Sequence, residues 1–221
     1  MSQIVVITGA NRGIGLELAR EYLRRGSEVI GLCRQSSPEL DASGARVIEN
    51  VDVAAAKSVQ AAAKKLKGVK IDILINNAGV FEDDTLGKLD EAAIQRQFEI
   101  NALGPLRVTE ALLDNLGKGS KIALITSRMG SIADNGSGGY YGYRMSKAAL
   151  NAAGMSLAQD LKTRGIAVAI LHPGYVQTRM VNFAGDVSPE TSAKRLAQRI
   201  DELNAKNSGS FRHANGEPLP W

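Results

Sequence analysis

The chain has 221 residues, 44% of them hydrophobic, and its 27 lysines and arginines outnumber 23 acidic residues by 27 − 23 = 4 charges. That length buries a full core and suits one α/β domain over residues 1–221. No apolar run is long enough to span a membrane, "MSQIVVITGA" lacks the charged start and long apolar stretch of a secretion signal, and the single Cys33 excludes an internal disulfide. A cytoplasmic protein is expected. Basic clusters such as "AAAKKLKGVK" have the spacing of a solvated helix face, without the dense stripe and aromatic platforms of a nucleic-acid binder.

In chain order, short β-branched runs alternate with longer periodic stretches rich in Ala and Leu: "QIVVIT", "GIGLELAREYLRRG", "EVIGLC", "ARVIEN", "AAAKSVQAAAKKL", "IDILIN", "EAAIQRQFEINALGPLRVTEALLDNL", "KIALITS", "YRMSKAALNAAGMSLAQDLKTRG" and "IAVAILHPG". The strands are apolar along both faces, which predicts a parallel sheet buried between two helix layers, a doubly wound three-layer α/β fold. Gly26, Gly68, Gly117 and Gly165 stand where helices should end. Pro105 suits the first turn of a helix beginning near Asn101. The tail "SGSFRHANGEPLPW" reads as a short strand followed by an extended end.

"ITGANRGIGLELA" sets Gly9, Gly13 and Gly15 between the first strand and the first helix. Glycines there let backbone N–H groups approach a pyrophosphate at a helix N-terminus, where the dipole also favours negative charge. The spacing is G-x-x-x-G-x-G, not the commoner G-x-G-x-x-G, and a simple tight turn is the competing reading. Further along, "GYYGYRMSKAALN" holds three tyrosines, of which only Tyr143 stands four residues before Lys147, on one face of a helix. With 5 Tyr and 12 Lys, chance supplies about 0.3 such pairs. An ammonium about 4 Å from a phenol is worth up to ~4 kcal/mol at an effective dielectric of 20, enough to bring Tyr143 toward neutral pH as a general acid.

"TGANRGIG" at 8–15, "NNAG" at 76–79, Asn101, Ser127, Tyr143 with Lys147, and "PGYVQT" at 173–178 occur in one order in one chain. Together they resemble the short-chain dehydrogenase/reductase family from the first strand to about residue 178. Residues 127–135, "GGYYGYRMSKAALN" and the final "GEPLPW" are most similar to its C-factor-type and sniffer-type carbonyl reductases. The resemblance implies a Rossmann-like fold and hydride transfer between a nicotinamide and a small carbonyl or alcohol. It also implies Tyr143 as proton donor, Ser127 on the substrate oxygen and Asn101 in a water relay from Lys147. Read from the residues alone, Ser127 can equally be a turn residue and Asn101 a helix N-cap. Ser127 precedes Tyr143 by 16 residues where the family has nearer 13, so "DNGSGG" reads as a small insertion beside the pocket.

The second strand ends on Cys33, where an NAD enzyme usually has a carboxylate for the ribose 2′-OH. Arg34 follows and Arg12 lies in the glycine loop, so two guanidiniums can meet a 2′-phosphate, and NADP(H) is the expected cofactor. Solvated surface arginines are the alternative. By the same resemblance Asn11 and Ile14 complete the phosphate loop, Asp52 and Val53 meet the adenine, and Asn76, Asn77, Ala78 and Gly79 brace the strand beside the cofactor. Pro173, Gly174, Val176 and Thr178 face the nicotinamide. Asp52 can also cap the helix that follows it. His172 and His213 stand apart with no cysteine or carboxylate at ligand spacing, so no metal is expected.

Arg128, Met129, Tyr140, Tyr175, Met180 and Phe183 fall near the strand ends where open α/β sheets bind substrates, although Met129 and Met180 read first as core packing. A short lid is expected over about 175–190. Ala148, Ala149, Ala152, Ala153 and Gly154 form a small-residue surface that the family often pairs in a homodimer or homotetramer. A signalling protein that binds NADP(H) on the same fold is the competing function.

Overall fold

The structure, a computed structural model, describes residues 2–221. Seven parallel strands form one sheet in the order β3-β2-β1-β4-β5-β6-β7. They are β1 (Ile4–Thr8), β2 (Glu28–Leu32), β3 (Arg46–Ile48), β4 (Ile71–Asn76), β5 (Leu116–Ile125), β6 (Ala167–His172) and β7 (Phe211–His213). The order reverses between β1 and β4, and a crevice opens there beyond the carboxyl ends of the strands. The expected doubly wound, three-layer architecture is the one observed.

Alternation of side chains builds the two halves of the core. In β1, Val5 and Ile7 face one layer and Val6 the other, all three fully buried. The first layer contains α1 (Gly13–Arg24), the short α2 (Pro38–Asp41) and α7 (Pro189–Asp201). Leu18, Ala19 and Tyr22 of α1 join Leu196, Ala197 and Ile200 of α7 there, and an Arg25–Asp201 ion pair of 2.6 Å ties the two helices at their rim. The opposite layer holds α3 (Ala56–Lys65), α4 (Glu91–Phe98), α5 (Gly104–Ala111) and α6 (Tyr141–Asp160). Burial of each Leu or Ile side chain contributes roughly 1.5–3 kcal/mol, so both apolar faces of the central strands are needed. Among the described residues no helix is long and apolar enough to cross a membrane.

Three boundary expectations are corrected. Gly26, Gly68 and Gly165 take positive φ after helical turns, but Gly117 lies inside β5, where a side chain would meet open space. Asn101 caps no helix: α4 runs through a π-helical turn, Glu99–Leu103, directly into α5. Pro105 sits in the first turn of α5 and has no N–H to give to the carbonyl of Asn101, which accounts for the widened turn. Asp52 does not cap α3 either, because Ala55 holds that position while the Asp52 carboxylate accepts from the N–H of Ala54 at 2.9 Å.

Candidate active site

The glycine loop closes the crevice from the β1 side. A Cβ on Gly15 would lie 2.2 Å from the carbonyl oxygen of Gly9 and 2.5 Å from Nδ2 of Asn77, so helix α1 meets the strand only with glycine there. Asn77 pins that contact by donating to the carbonyls of Thr8 and Gly9, while the Thr8 hydroxyl accepts from the N–H groups of Asn77 and Ala78. Gly9 and Gly13 have φ of 67° and 55°. Helix α1 starts with no side-chain cap and no acidic residue in its first turn, which leaves its N–H groups for an anion. A Cβ on Gly13 would touch Thr178 at 3.4 Å, so the 173–178 segment closes over this loop from β6. The crowded glycines and the uncapped helix fit a dinucleotide pyrophosphate.

At the far end of the crevice Cys33 is buried, and Arg34 and Arg12 are exposed. Neither guanidinium pairs with a carboxylate among the described residues. Asn11 spans from the glycine loop to the carbonyl of Gln35 at 2.9 Å, holding the Arg34 strand end beside it. Val53 is buried against Gly104, where any side chain would collide with it at 3.0 Å.

Helix α6 brings Tyr143 and Lys147 to the carboxyl end of the sheet, beside Ser127 at the end of β5. Gly130 allows the approach, since a Cβ there would strike the Lys147 backbone at 2.7 Å. Ser127 accepts from the N–H of Met129 at 3.1 Å, the turn contact read from the sequence, and its hydroxyl faces Tyr143 closely enough to favour the ionised phenol. Lys147 is 5% exposed and donates to the carbonyl of Ile125 at 3.0 Å. Asn101 is fully buried, donates to the Val80 carbonyl and to Ser146, and accepts from the Val80 N–H. The π turn aims it inward: a Cβ on Gly79 would lie 3.1 Å from Asn101 Oδ1 and 3.7 Å from Lys147 Nζ. These groups therefore converge on one pocket floor.

The electrostatics differ from the expectation that Lys147 would draw the phenol toward neutral pH. Burial pushes Tyr143 up to about 12, against the lowering effect of the Ser127 hydroxyl. Burial also brings Lys147 down to about 8. In this apolar floor desolvation outweighs attraction, and the phenol is a protonated acid throughout the neutral range.

Among the residues expected to line a substrate pocket, Arg128 is exposed and pairs with Asp134 at 2.7 Å. Tyr140, Tyr175, Met180 and Phe183 are exposed, so Met180 is no core residue, and Met129 is half-buried. Phe183 and Asn182 have positive φ in the short lid, which hydrogen-bonds back on itself from Asp186 and Val187 to Tyr175. Buried Val176 bridges to Val187 there. His172 and His213, apart in the sequence, are register partners in β6 and β7 with ring centres 4.9 Å apart. Gly154 faces inward onto Ile170 and Leu124, correcting its place on the small-residue outer surface.

Sequence reasoning missed three contributors. Phe81 packs edge-on against Tyr143, with ring centres 5.0 Å apart. The buried Thr126–Asn151 hydrogen bond of 2.7 Å locks α6 to β5 next to Ser127. Asp84 binds the start of α6. None of them has a spacing signal, because each acts across elements distant in the chain.

The family model for short chain dehydrogenases matches residues 3–203. The chain is 43% identical over 223 residues to 1-hydroxy-2-glutathionyl-2-methyl-3-butene dehydrogenase of Rhodococcus sp. (strain AD45), covering 98% of this chain and 99% of that one. It is 47% identical over 154 residues to the C-signal protein of Myxococcus xanthus, covering 68% of this chain and 93% of that one, in line with the C-factor-type resemblance. Its fold is similar to the NADPH-bound carbonyl reductase from chicken fatty liver, with a TM-score of 0.90 at 28% identity over 100% of this chain and 99% of that one.

Proposed function

The chain belongs to the short-chain dehydrogenase family, and on that premise we propose that it is an NADPH-dependent oxidoreductase interconverting a small carbonyl compound and its alcohol. One observation carries the reading: buried Ser127 and Lys147 and half-buried Tyr143 share one pocket floor beside the uncapped N-terminus of α1. When bound, a reduced nicotinamide supplies the hydride for such a reaction. Gly9, Asn11, Gly13, Ile14 and Gly15 would hold its pyrophosphate, and Arg12 and Arg34 its 2′-phosphate. Asp52 and Val53 would meet the adenine, residues 77–79 would line the ribose, and Pro173, Gly174, Val176 and Thr178 the nicotinamide. The NADPH bound to the chicken carbonyl reductase supports this choice.

The chain's own groups divide the proton work. Ser127 donates to the substrate oxygen and orients it, and the Tyr143 phenol gives that oxygen its proton. The Lys147 ammonium offsets the charge left on the phenol, worth several kcal/mol in a water-poor site. Asn101, fixed by its bonds to Val80 and Ser146, would stand in the relay that returns a proton from solvent to Lys147.

The test is NADPH consumption with aldehydes, quinones and diketones, and NADP reduction with glutathionyl alcohols, the last prompted by the substrate named for the Rhodococcus relative. Wild type should turn over at least one class and Tyr143→Phe none at comparable rate. Similarity to the C-signal protein supports a second reading, an NADP(H)-binding signalling protein. Tight NADPH binding without turnover of any class would favour it.

A further inference from the structure

Helix α6 carries both Tyr143 and Lys147, yet it does not cap itself. Tyr140 at its cap position is left-handed with φ of 52°, makes no side-chain cap bond, and is followed by no acidic residue in the first turn. The free N–H groups go to Asp84, far upstream in the segment between β4 and α4. Tyr141 N–H donates to Oδ1, Gly142 N–H to Oδ2 at 2.8 Å, and Tyr140 N–H to the Asp84 backbone carbonyl at 3.1 Å. Asp84 is only 4% exposed. A carboxylate accepting two N–H bonds at a helix N-terminus gains from charge-assisted bonding and from the helix dipole together. Gly142 is the sequence's counterpart, since a Cβ there would lie 3.0 Å from Oδ2 and 2.6 Å from Nε2 of Gln97.

Asp84 ends a strap, residues 80–84, that touches catalytic groups at Val80 and Phe81 and α4 at Glu82. Val80 is held at both backbone groups by Asn101, Phe81 packs on the Tyr143 ring, and Glu82 N–H donates to Gln97 at 3.0 Å. The strap begins directly after the 77–79 loop that lines the crevice. Its two ends therefore fix the crevice wall and the first turn of α6 relative to each other. Tyr143 belongs to that first turn, and a misplacement of about 1 Å at such a group costs on the order of 100-fold in rate.

We infer that Asp84 is a positioning residue: it holds the first turn of α6 against the 80–84 strap and so keeps the Tyr143 phenol at Ser127. The inference rests on the proton-donor role proposed for Tyr143.

Asp84→Asn keeps the shape and one acceptor while losing the second, and it is compared with wild type by two measurements. Amide hydrogen exchange across residues 141–147 should speed up about tenfold or more while exchange in the sheet is unchanged. In carbonyl reduction kcat should fall by about 100-fold, KM for NADPH should stay within about twofold, and Asp84→Asn should slow Tyr143→Phe no further. Unchanged exchange at 141–147 overturns the inference. So does an equal loss in the Tyr143→Phe background, or exchange rising throughout the chain, which marks a purely structural role. Asp84→Ser, still able to accept one bond, takes the place of an Asn variant that fails to fold. A wild type that reduces no carbonyl defeats the reductase reading, and the exchange comparison then decides the Asp84 contact by itself.

Discussion

Nζ of Lys147 lies 5.7 Å from the centre of the Tyr143 ring and donates to the carbonyl of Ile125. The ammonium thus sits beneath the ring, anchored to the sheet, where it can offset negative charge that would form on the phenol in the proposed proton donation. Burial sets both pKa values: Tyr143 near 12, Lys147 near 8.

A pH dependence follows with a definite sign. The acid form of Tyr143 is present at every practical pH, so its ionisation does not limit reduction. Lys147 is charged below about pH 8 and neutral above it. The kcat for reduction is therefore flat through neutral pH and falls about tenfold per unit above pH ~8. A profile of kcat against pH checks this, and a limb that falls only near the ordinary lysine value would contradict the burial argument. Ser127→Ala should cost about 10²–10³-fold in kcat with the same limb, since it removes a donor to the developing charge and leaves Lys147 in place.

Gly15 and Gly117 make a matched pair. Alanine at Gly15 would drive a Cβ to 2.2 Å from the Gly9 carbonyl, a backbone atom that cannot step aside, whereas at Gly117 it meets nothing within 4 Å. Gly15→Ala should weaken NADPH binding by more than about tenfold and lower the melting temperature by several degrees. Gly117→Ala should change neither by a measurable amount. Fluorescence titration with NADPH and a thermal melt on both variants give the comparison.

In the proposed reading, Arg12 and Arg34 set the cofactor choice. A charge-assisted bond to a 2′-phosphate contributes about 1.5–3 kcal/mol, so Arg34→Ala should reduce the NADPH-over-NADH preference by about 10–100-fold, mostly through NADPH. Arg12→Ala should act in the same direction, and its exposed side chain makes no cap bond to α1 whose loss would confuse the result. Preference left intact in both variants would put the 2′-phosphate elsewhere.

Much of this was readable in the sequence where a single residue type answers a local demand. Gly9 and Gly13 need positive φ and Gly15 needs the absence of a Cβ, so the loop announces itself. Val5, Val6 and Ile7 are apolar in succession because both faces of β1 are covered. The π turn at Glu99–Leu103 was not legible: Pro105 signals a helix start equally well, and only the packed chain shows one helix running through. Asp84 was hidden for another reason. A helix cap is sought within a few residues of the helix, while this one arrives from the other side of α4. The depressed Lys147 and raised Tyr143 depend on burial, which spacing on a helix does not reveal.

The histidine pair supplies the last prediction. His172 is register partner to His213, its Nδ1 is buried without a partner, and its pKa is held down to about 3. Burial is the main cause, followed by the positive charge of His213, Arg128 and Lys147. Between pH 6.5 and about 3 the unfolded chain binds a proton at this residue that the folded chain refuses. Stability therefore rises with pH across that window and is lost as pH falls, by at most about 4–5 kcal/mol from this one group. His172→Asn removes the titration and should flatten the fall in urea midpoint between about pH 7 and pH 4. Glu21 acts in the same direction, since Arg25 and Arg24 outweigh burial and lower its pKa, but it lies in α1 and is common to both proteins. Its contribution cancels in the comparison. An equal acid loss in the variant would mean that His172 is protonated in the folded chain, and the β6–β7 edge would then have to accommodate a charge beside Arg128.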